Sequence, residues 1–149
     1  MAKQILRKDQ TESEPWTIWN AFIRVIAADP DNLTEEQRPA HFVFVYENEI
    51  QNGGHLQYFE NQGSMHLQET LAALTQLGAN NHRRLLEQAS GVLQSRPRKQ
   101  FLTTEEYIGA ALEDEFGIID SQFHESSPSL QELLEKHLAE NQSAFIEIV

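Results

Sequence analysis

The sequence predicts an all-α protein, a single-domain multi-helix bundle with short loops and a helix–turn–helix corner at an Asn-Gly-Gly turn. Apolar residues recur at helical spacing along most of the chain, and capping residues, glycines or prolines separate the periodic segments. The chain has 149 residues, 40% of them apolar, which is enough for one sizeable core. No internal repeat or linker divides it, so we predict one domain over residues 1–149.

Two helices are predicted in the first third. "SEPWTIWNAFIRVIAADP" has helical spacing, begins at a proline suited to a first turn, and stops at Asp29-Pro30. Its predicted inner face is Trp16, Trp19, Ile23 and Ile26. "LTEEQRPAHFVFVYENEIQN" follows, with Thr34 and Gln37 at the spacing of a capping box. Its helical apolar residues are Phe42, Val45, Tyr46 and Ile50.

The middle of the chain reads as shorter helices. After the glycines, "HLQYFEN" predicts one or two helical turns. Ser64 can cap "MHLQETLAALTQLG", which Gly78 ends, and Asn80 or Asn81 opens "HRRLLEQASGVLQ". The connection "SRPRKQFL" then continues a basic region that we expect to pair with acidic residues within the molecule or across a dimer. This region consists of Arg83, Arg84, Arg96, Arg98 and Lys99.

The last third begins with a second capping box, Thr103 and Glu106, ahead of "YIGAALEDEF". "GIIDSQFHESSP" is irregular or briefly helical, and Ser127-Pro128 then opens a long final helix. The inner face of that helix is predicted to be Leu130, Leu133, Leu134, Leu138 and Phe145.

The stretch "EIQNGGHLQYFENQG" is best explained as a corner between two helices. A phosphate-binding loop needs a preceding strand and a nearby basic residue, yet no basic residue occurs between Arg38 and Arg83. Glycines allow the left-handed backbone that ends a helix and a close approach of the next segment. Glu49 lies on the apolar face of the preceding helix, and we expect freed backbone N–H groups at Gly53, Gly54 or His55 to bind it. A catalytic acid or base role for Glu49 is the open alternative.

The same stretch resembles the signature Glu-x-x-Asn-Gly-Gly-Phe-x-Gln-Phe/Tyr-Phe-x-Asn of a bacterial family of small acidic helical proteins, described as the DNA-mimic protein family. His55 departs from the pattern, which has Phe there, and we expect this to affect local packing more than function. The resemblance covers residues 34–146 and implies a homodimer, and its central motif carries no catalytic assignment. The matching positions, for which we predict a structural role, are Glu49, Asn52, Gly53, Gly54, Gln57, Tyr58, Phe59 and Asn61.

Charge excludes several function classes. The net charge is −12, and residues 101–149 carry 11 acidic side chains against one lysine. This sign opposes direct binding to nucleic acid or to an anionic membrane. The chain has no cysteine, which excludes disulfides and thiolate metal sites, and it shows no apolar run of membrane-spanning length and no signal peptide. We therefore expect a cytoplasmic protein.

The acidic residues of the last third predict a docking surface for a basic protein. Carboxylates spaced three or four residues apart on a helix lie about 5–6 Å from one another, which imitates a row of phosphates. An acidic face that merely keeps the protein soluble is the alternative. The predicted partner-binding residues are Glu105, Glu106, Glu113, Asp114, Asp120, Glu125, Glu132, Glu135 and Glu140.

Three functions stay open at this point. The first is a DNA mimic that occupies the DNA-binding surface of a basic protein such as a transcription regulator. The second is an immunity-type protein that neutralises a basic effector without imitating DNA. The third is a small metal-dependent enzyme, for which Glu49, Glu115 and a histidine are candidate ligands. The Glu-x-x-His spacing of helical metal sites is absent, so we expect no metal, no cofactor and no enzymatic activity. His137, on the apolar face of the last helix, is expected to be a core or boundary residue.

Overall fold

A computed structural model describes residues 3–149 and confirms the all-α prediction, including the corner at the Asn-Gly-Gly turn. Residues 1 and 2 of the predicted domain lie outside the described range. Eight α-helices occur in that range, with short 3₁₀ turns at Pro30–Asn32 and Gln142–Ala144. The helices are α1 (Lys8–Ser13), α2 (Trp16–Ile26), α3 (Arg38–Gln62), α4 (Leu67–Gln76), α5 (Asn80–Gln94), α6 (Thr104–Glu113), α7 (Gly117–Glu125) and α8 (Leu130–Asn141).

A small parallel sheet joins the two ends of the chain. Strand β1 (Gln4–Leu6) pairs with strand β2 (Ile146–Ile148), with Gln4 opposite Ile146. The sequence did not predict these strands, because three residues are too few for a readable alternation of polar and apolar positions.

The final helix is shorter than predicted. It begins at Leu130 rather than at Ser127-Pro128, because the Ser129 side chain accepts the N–H of Glu132 and caps it. It ends at Asn141, so Phe145 lies beyond it. Phe145 is nevertheless fully buried, with its ring centroid 4.8 Å from that of Phe22.

Two further local predictions were wrong, the first of them only in part. Of the predicted inner face of α2, Ile26 is fully buried and Trp19 and Ile23 pack half-buried against the core, whereas Trp16 is exposed. The apolar positions of α2 cover more than one face, so the core also buries residues that the prediction did not include, namely Ala21, Phe22 and Val25. Ser64 does not cap α4, which begins three residues later without a side-chain cap.

Helix α3 lies at the centre of the bundle. The predicted capping box precedes it, since Thr34 and Gln37 exchange backbone-to-side-chain hydrogen bonds of 3.1 and 3.3 Å. The amide of Gln37 is also buried and donates to the Ala144 carbonyl oxygen, which ties this end of α3 to the chain's C-terminal segment. Helices α2, α4, α7 and α8 all pack against α3.

A kink divides α3 into an arm before it, residues 38–52, and an arm after it, residues 55–62. Gly53 (φ −159°, ψ 17°) and Gly54 (φ 71°, ψ −167°) leave helical geometry there. The Gly54 conformation belongs to a region that is essentially restricted to glycine. A Cβ atom on Gly54 would also overlap the carboxylate of Asp120 on α7. The corner therefore requires glycine at position 54 for two independent reasons.

Gly54→Ala is expected to destabilise the protein by about 3 kcal/mol, the combined cost of a strained backbone and of displacing the half-buried Asp120 carboxylate from its donors. Urea denaturation followed by circular dichroism measures this. Gly78→Ala is the matched control, because Gly78 also has a positive φ of 79° but has open space where a Cβ atom would lie. It should cost only about 1 kcal/mol. Equal losses of unfolding free energy in both variants would show that contact with the Asp120 carboxylate does not restrict position 54.

Candidate functional site

The corner is held by a buried hydrogen-bond chain that runs from α7 to α3. Asp120 Oδ1 accepts from the His55 backbone N–H at 2.9 Å and lies 2.6 Å from His55 Nδ1. His55 Nε2 lies 2.7 Å from the Tyr46 hydroxyl. A carboxylate only accepts, so Nδ1 carries a proton, and in the neutral ring Nε2 accepts from the Tyr46 hydroxyl. Burial raises the pKa of Tyr46 well above its usual value, which keeps that hydroxyl a donor.

This arrangement changes the interpretation of two sequence features. His55, the departure from the family signature, is completely buried and forms a polar network where Phe could form none. Asp120 was predicted to bind a partner, but its carboxylate is directed at the corner and its side chain is only 25% exposed. Gly54 leaves room for this carboxylate and His55 supplies its donors, so Asp120 has a structural role at the corner, and its binding of a partner stays a prediction.

Glu49 is bound by side chains rather than by the backbone N–H groups that the sequence suggested. Its Oε2 accepts from Asn61 Nδ2 at 2.8 Å and is 3.4 Å from Gln57 Nε2. These three residues belong to the signature and link the two arms of α3. Tyr58 and Phe59 of the signature are buried in the core. Asn52 is exposed at the kink.

The other eight carboxylates predicted to bind a partner are all exposed. They fall into separate groups on successive helices, with Glu125 at the end of α7 between them. Thr103 Oγ1 accepts the Glu106 N–H at 3.1 Å, as the predicted capping box requires, and Glu106 Oε2 accepts the N–H of Leu102, the residue before the cap, at 2.8 Å. On α6 or at its end lie Glu105, Glu106, Glu113 and Asp114, and on α8 lie Glu132, Glu135 and Glu140.

One lysine interrupts the α8 group. Lys136 is exposed and follows Glu132 by four residues and precedes Glu140 by four, so it shares their side of the helix. Within residues 3–149 it forms no ion pair within 4 Å. The face of α8 is therefore acidic but not uniformly so.

The arginines of the 95–101 segment neutralise a different carboxylate, Glu115. Arg98 Nη2 lies 2.8 Å from Glu115 Oε1, and Arg96 Nη2 lies 3.1 Å from Oε2. This confirms the expected pairing of the basic region with the acidic last third for these two arginines. Their hydrogen bonds, Arg98 first, lower the pKa of Glu115 to about 2. Among the arginine ion pairs of the described range, one involves a predicted partner-binding residue, Glu113, which lies 3.8 Å from Arg96.

Helix α6 leaves a groove, which the sequence did not predict, against the second arm of α3. None of the residues of α6 is buried, and Leu112 on this helix is 81% exposed. The groove has a volume of about 710 Å³ and lies between α6, residues 93–101 and residues 56–64. Apolar, acidic and basic side chains all line it, and it is called the α3–α6 groove below. Sequence periodicity indicates only that α6 is amphipathic, not how closely it packs.

The remaining candidates show no ligand-binding geometry. His137 is half-buried, and its Nε2 is buried without a hydrogen-bond partner in residues 3–149. Burial lowers its pKa. Glu49 and Glu115 are held by different partners, and no three His, Asp or Glu side chains of the described residues gather as metal ligands. None of the helices in that range combines the length and the apolar character that crossing a bilayer requires.

The family model described as DMP19-like protein matches residues 31–141. That range includes the corner, the α3–α6 groove and the exposed carboxylates of α6 to α8. The chain belongs to the DMP19-like protein family. No curated protein and no solved structure matches the sequence significantly.

This finding corrects the resemblance drawn from the Glu49–Asn61 signature. The signature was attributed to a broad family of acidic DNA-mimic proteins over residues 34–146, whereas the match is to the specific DMP19-like family over residues 31–141. A short signature of glycines and aromatic residues describes how a helix corner packs, so it does not by itself distinguish one family from another.

The pKa of Glu115 predicts a local dependence of stability on pH. The Glu115 carboxyl group binds its proton less tightly in the folded protein than in the unfolded chain, where its pKa is near 4.5. The ion pairs therefore stabilise the fold above that pH, and their contribution is lost as the pH falls through about 2.

Glu115→Gln should cost about 1 kcal/mol of stability at neutral pH, because pairs this exposed are screened by solvent. Urea denaturation should show the difference from wild type vanishing as the solution is acidified below the usual glutamate range. An NMR titration of the Glu115 side chain checks the cause, and Arg98→Ala should move its midpoint upwards. A midpoint at the ordinary glutamate value in the unsubstituted protein would contradict the arginine assignment.

Proposed function

We propose that this chain is a DNA-mimic-type binding protein without enzymatic activity. It presents exposed carboxylates of α6 and α8 to a basic DNA-binding protein, such as a transcription regulator, and competes with DNA for it. Opposite charge accelerates the encounter, and occupation of the DNA site follows. Membership of the DMP19-like family and the net charge of −12 support this proposal.

The main support for the proposal is which carboxylates form ion pairs with the chain's own arginines. Arg96 and Arg98 pair with Glu115, and Arg83 pairs with Glu87. The carboxylates of Glu132 and Glu140 have no such partner within the described residues and remain exposed. An acidic surface that its own cations leave uncovered retains a negative potential, which attracts a cationic protein.

A second candidate function is supported by the apolar residues beside the acidic ones. Leu102 and Leu112 are more than four-fifths exposed and flank Glu105 and Glu106. The DNA backbone has no apolar groups that correspond to these exposed leucines, so they are not needed to imitate it. They are suited to contact an apolar patch on a protein, which supports binding of a basic effector without DNA mimicry. The two functions differ in one respect, since only a mimic must compete with DNA.

Affinity capture from an extract of native cells, with and without DNA as competitor, tests the mimic directly. Captured DNA-binding protein should be released by DNA and by high salt. Retention of the same partner despite both treatments would contradict mimicry. Release by salt alone, with DNA having no effect, would favour the basic effector.

The triple variant Glu132→Gln, Glu135→Gln and Glu140→Gln should weaken binding of the purified partner at low salt by about tenfold, mainly through slower association. The loss should shrink at high salt because screening already weakens these interactions. The matched control changes net charge equally at three exposed acidic residues elsewhere, Glu12→Gln, Glu14→Gln and Asp31→Asn. A similar loss in the control would mean that overall charge, rather than the α8 face, attracts the partner.

A further inference from the structure

The α3–α6 groove has the composition of a binding site rather than of a packing defect. Its apolar lining comes from Leu56 and Phe59 on α3, from Leu93 at the end of α5, and from Phe101 in the following segment. A volume of about 710 Å³ lies within the range of sites that accommodate ligands or several side chains. The groove is open to solvent on one side, so an occupant can enter without unfolding the protein.

The sequence of α6 explains why the protein's own side chains do not fill the groove. Gly109 and Ala110 are the α6 residues that line it between the charged Glu106 and Glu113. Gly109 contributes no side chain, and a Cβ atom placed on it would meet nothing within 4 Å. A helix with a leucine at either position would fill the space against Phe59 and Phe101.

The charges at the groove favour a cationic occupant. Arg96 and Arg98 line the groove, but Glu115 holds both guanidinium groups. Glu60 and Glu106 remain exposed without an ion pair in residues 3–149, against one exposed lysine, Lys99.

A smaller cavity extends the acidic end of the groove. It shares Glu60 and Phe101 with the groove and is also lined by Tyr107. The pKa of Tyr107 is raised, first by burial and then by the carboxylates of Glu60 and Glu49, so both charges act at this end. Apolar walls next to uncompensated carboxylates suit an apolar side chain with a positive charge beside it.

We propose that the α3–α6 groove binds a basic amphipathic segment of the partner protein. An aliphatic or aromatic side chain enters between Phe59 and Phe101, and neighbouring lysine or arginine side chains pair with Glu60 and Glu106. That this segment belongs to a DNA-binding protein rests on the proposed function. That the groove binds a basic amphipathic segment rests on the groove's own residues. A buried apolar anchor surrounded by charge pairs is the usual composition of a binding hot spot.

Synthetic peptides test the groove without the natural partner. Fluorescence anisotropy compares a labelled peptide of equal numbers of lysines and leucines with one of equal numbers of lysines and glycines. A third peptide replaces the lysines of the first with glutamates. The lysine–leucine peptide should bind at least about tenfold more tightly than the other two, because only it offers both charge and apolar anchor.

Two variants locate the binding. Gly109→Phe places a ring in the groove and should weaken the lysine–leucine peptide at least about tenfold, with little change for the lysine–glycine peptide. Gly91→Phe is the matched control, because Gly91 is also helical with open space around its Cβ but belongs to α5 and does not line the groove. It should leave binding unchanged. Glu60→Lys should weaken both lysine peptides and provides a second variant if Gly109→Phe misfolds.

Several outcomes would overturn the proposal. Equal effects of Gly109→Phe and Gly91→Phe would place the peptide elsewhere, and tighter binding of the glutamate–leucine peptide would make the ligand an amphipathic anion. Loss of self-association in Gly109→Phe, with peptide binding intact, would assign the groove to a second copy of the chain. No DNA-binding protein enters this assay, so its result is independent of the DNA competition that tests the proposed function.

Discussion

The carboxylate of Asp120 accepts the backbone N–H of His55 and lies within hydrogen-bond distance of its ring, and the course of α3 depends on this contact. Breaking a central helix exposes backbone groups that need new partners. Here a side chain from α7 supplies one of them, and Tyr46 completes the chain of hydrogen bonds in the core. The kink directs the second arm of α3 towards α6, so the same contact sets the position of one wall of the α3–α6 groove.

Two kinds of carboxylate therefore coexist in the last third of the chain. Asp120 and Glu115 are bound within the protein, the first by His55 and the second by Arg96 and Arg98. The carboxylates of α8 and most of those on α6 face solvent and form no ion pair within residues 3–149, although Lys136 lies beside Glu132 and Glu140. Because Arg96 and Arg98 already pair with Glu115, they do not neutralise the exposed carboxylates of α6 and α8. These helices therefore keep the negative charge on which the proposed competition with DNA depends.

The sequence predicts features that depend on neighbouring residues and misses those that depend on distant ones. The capping boxes at Thr34–Gln37 and Thr103–Glu106 involve residues three apart, and Gly78 ends its helix as expected. His55 and Asp120 are 65 positions apart, so spacing cannot pair them. The same limit hides the β1–β2 sheet and the groove, which depend on how elements pack rather than on their local pattern.

Native-state hydrogen exchange of the His55 amide tests the central role of the Asp120 contact most directly. We expect exchange at least about a thousandfold slower than in an unstructured peptide, because the N–H is released only when the corner opens as part of a larger unfolding unit. Exchange at the rate of an exposed loop amide would contradict it. The corner would then open freely, and neither the kink in α3 nor the groove beside it would have a fixed geometry.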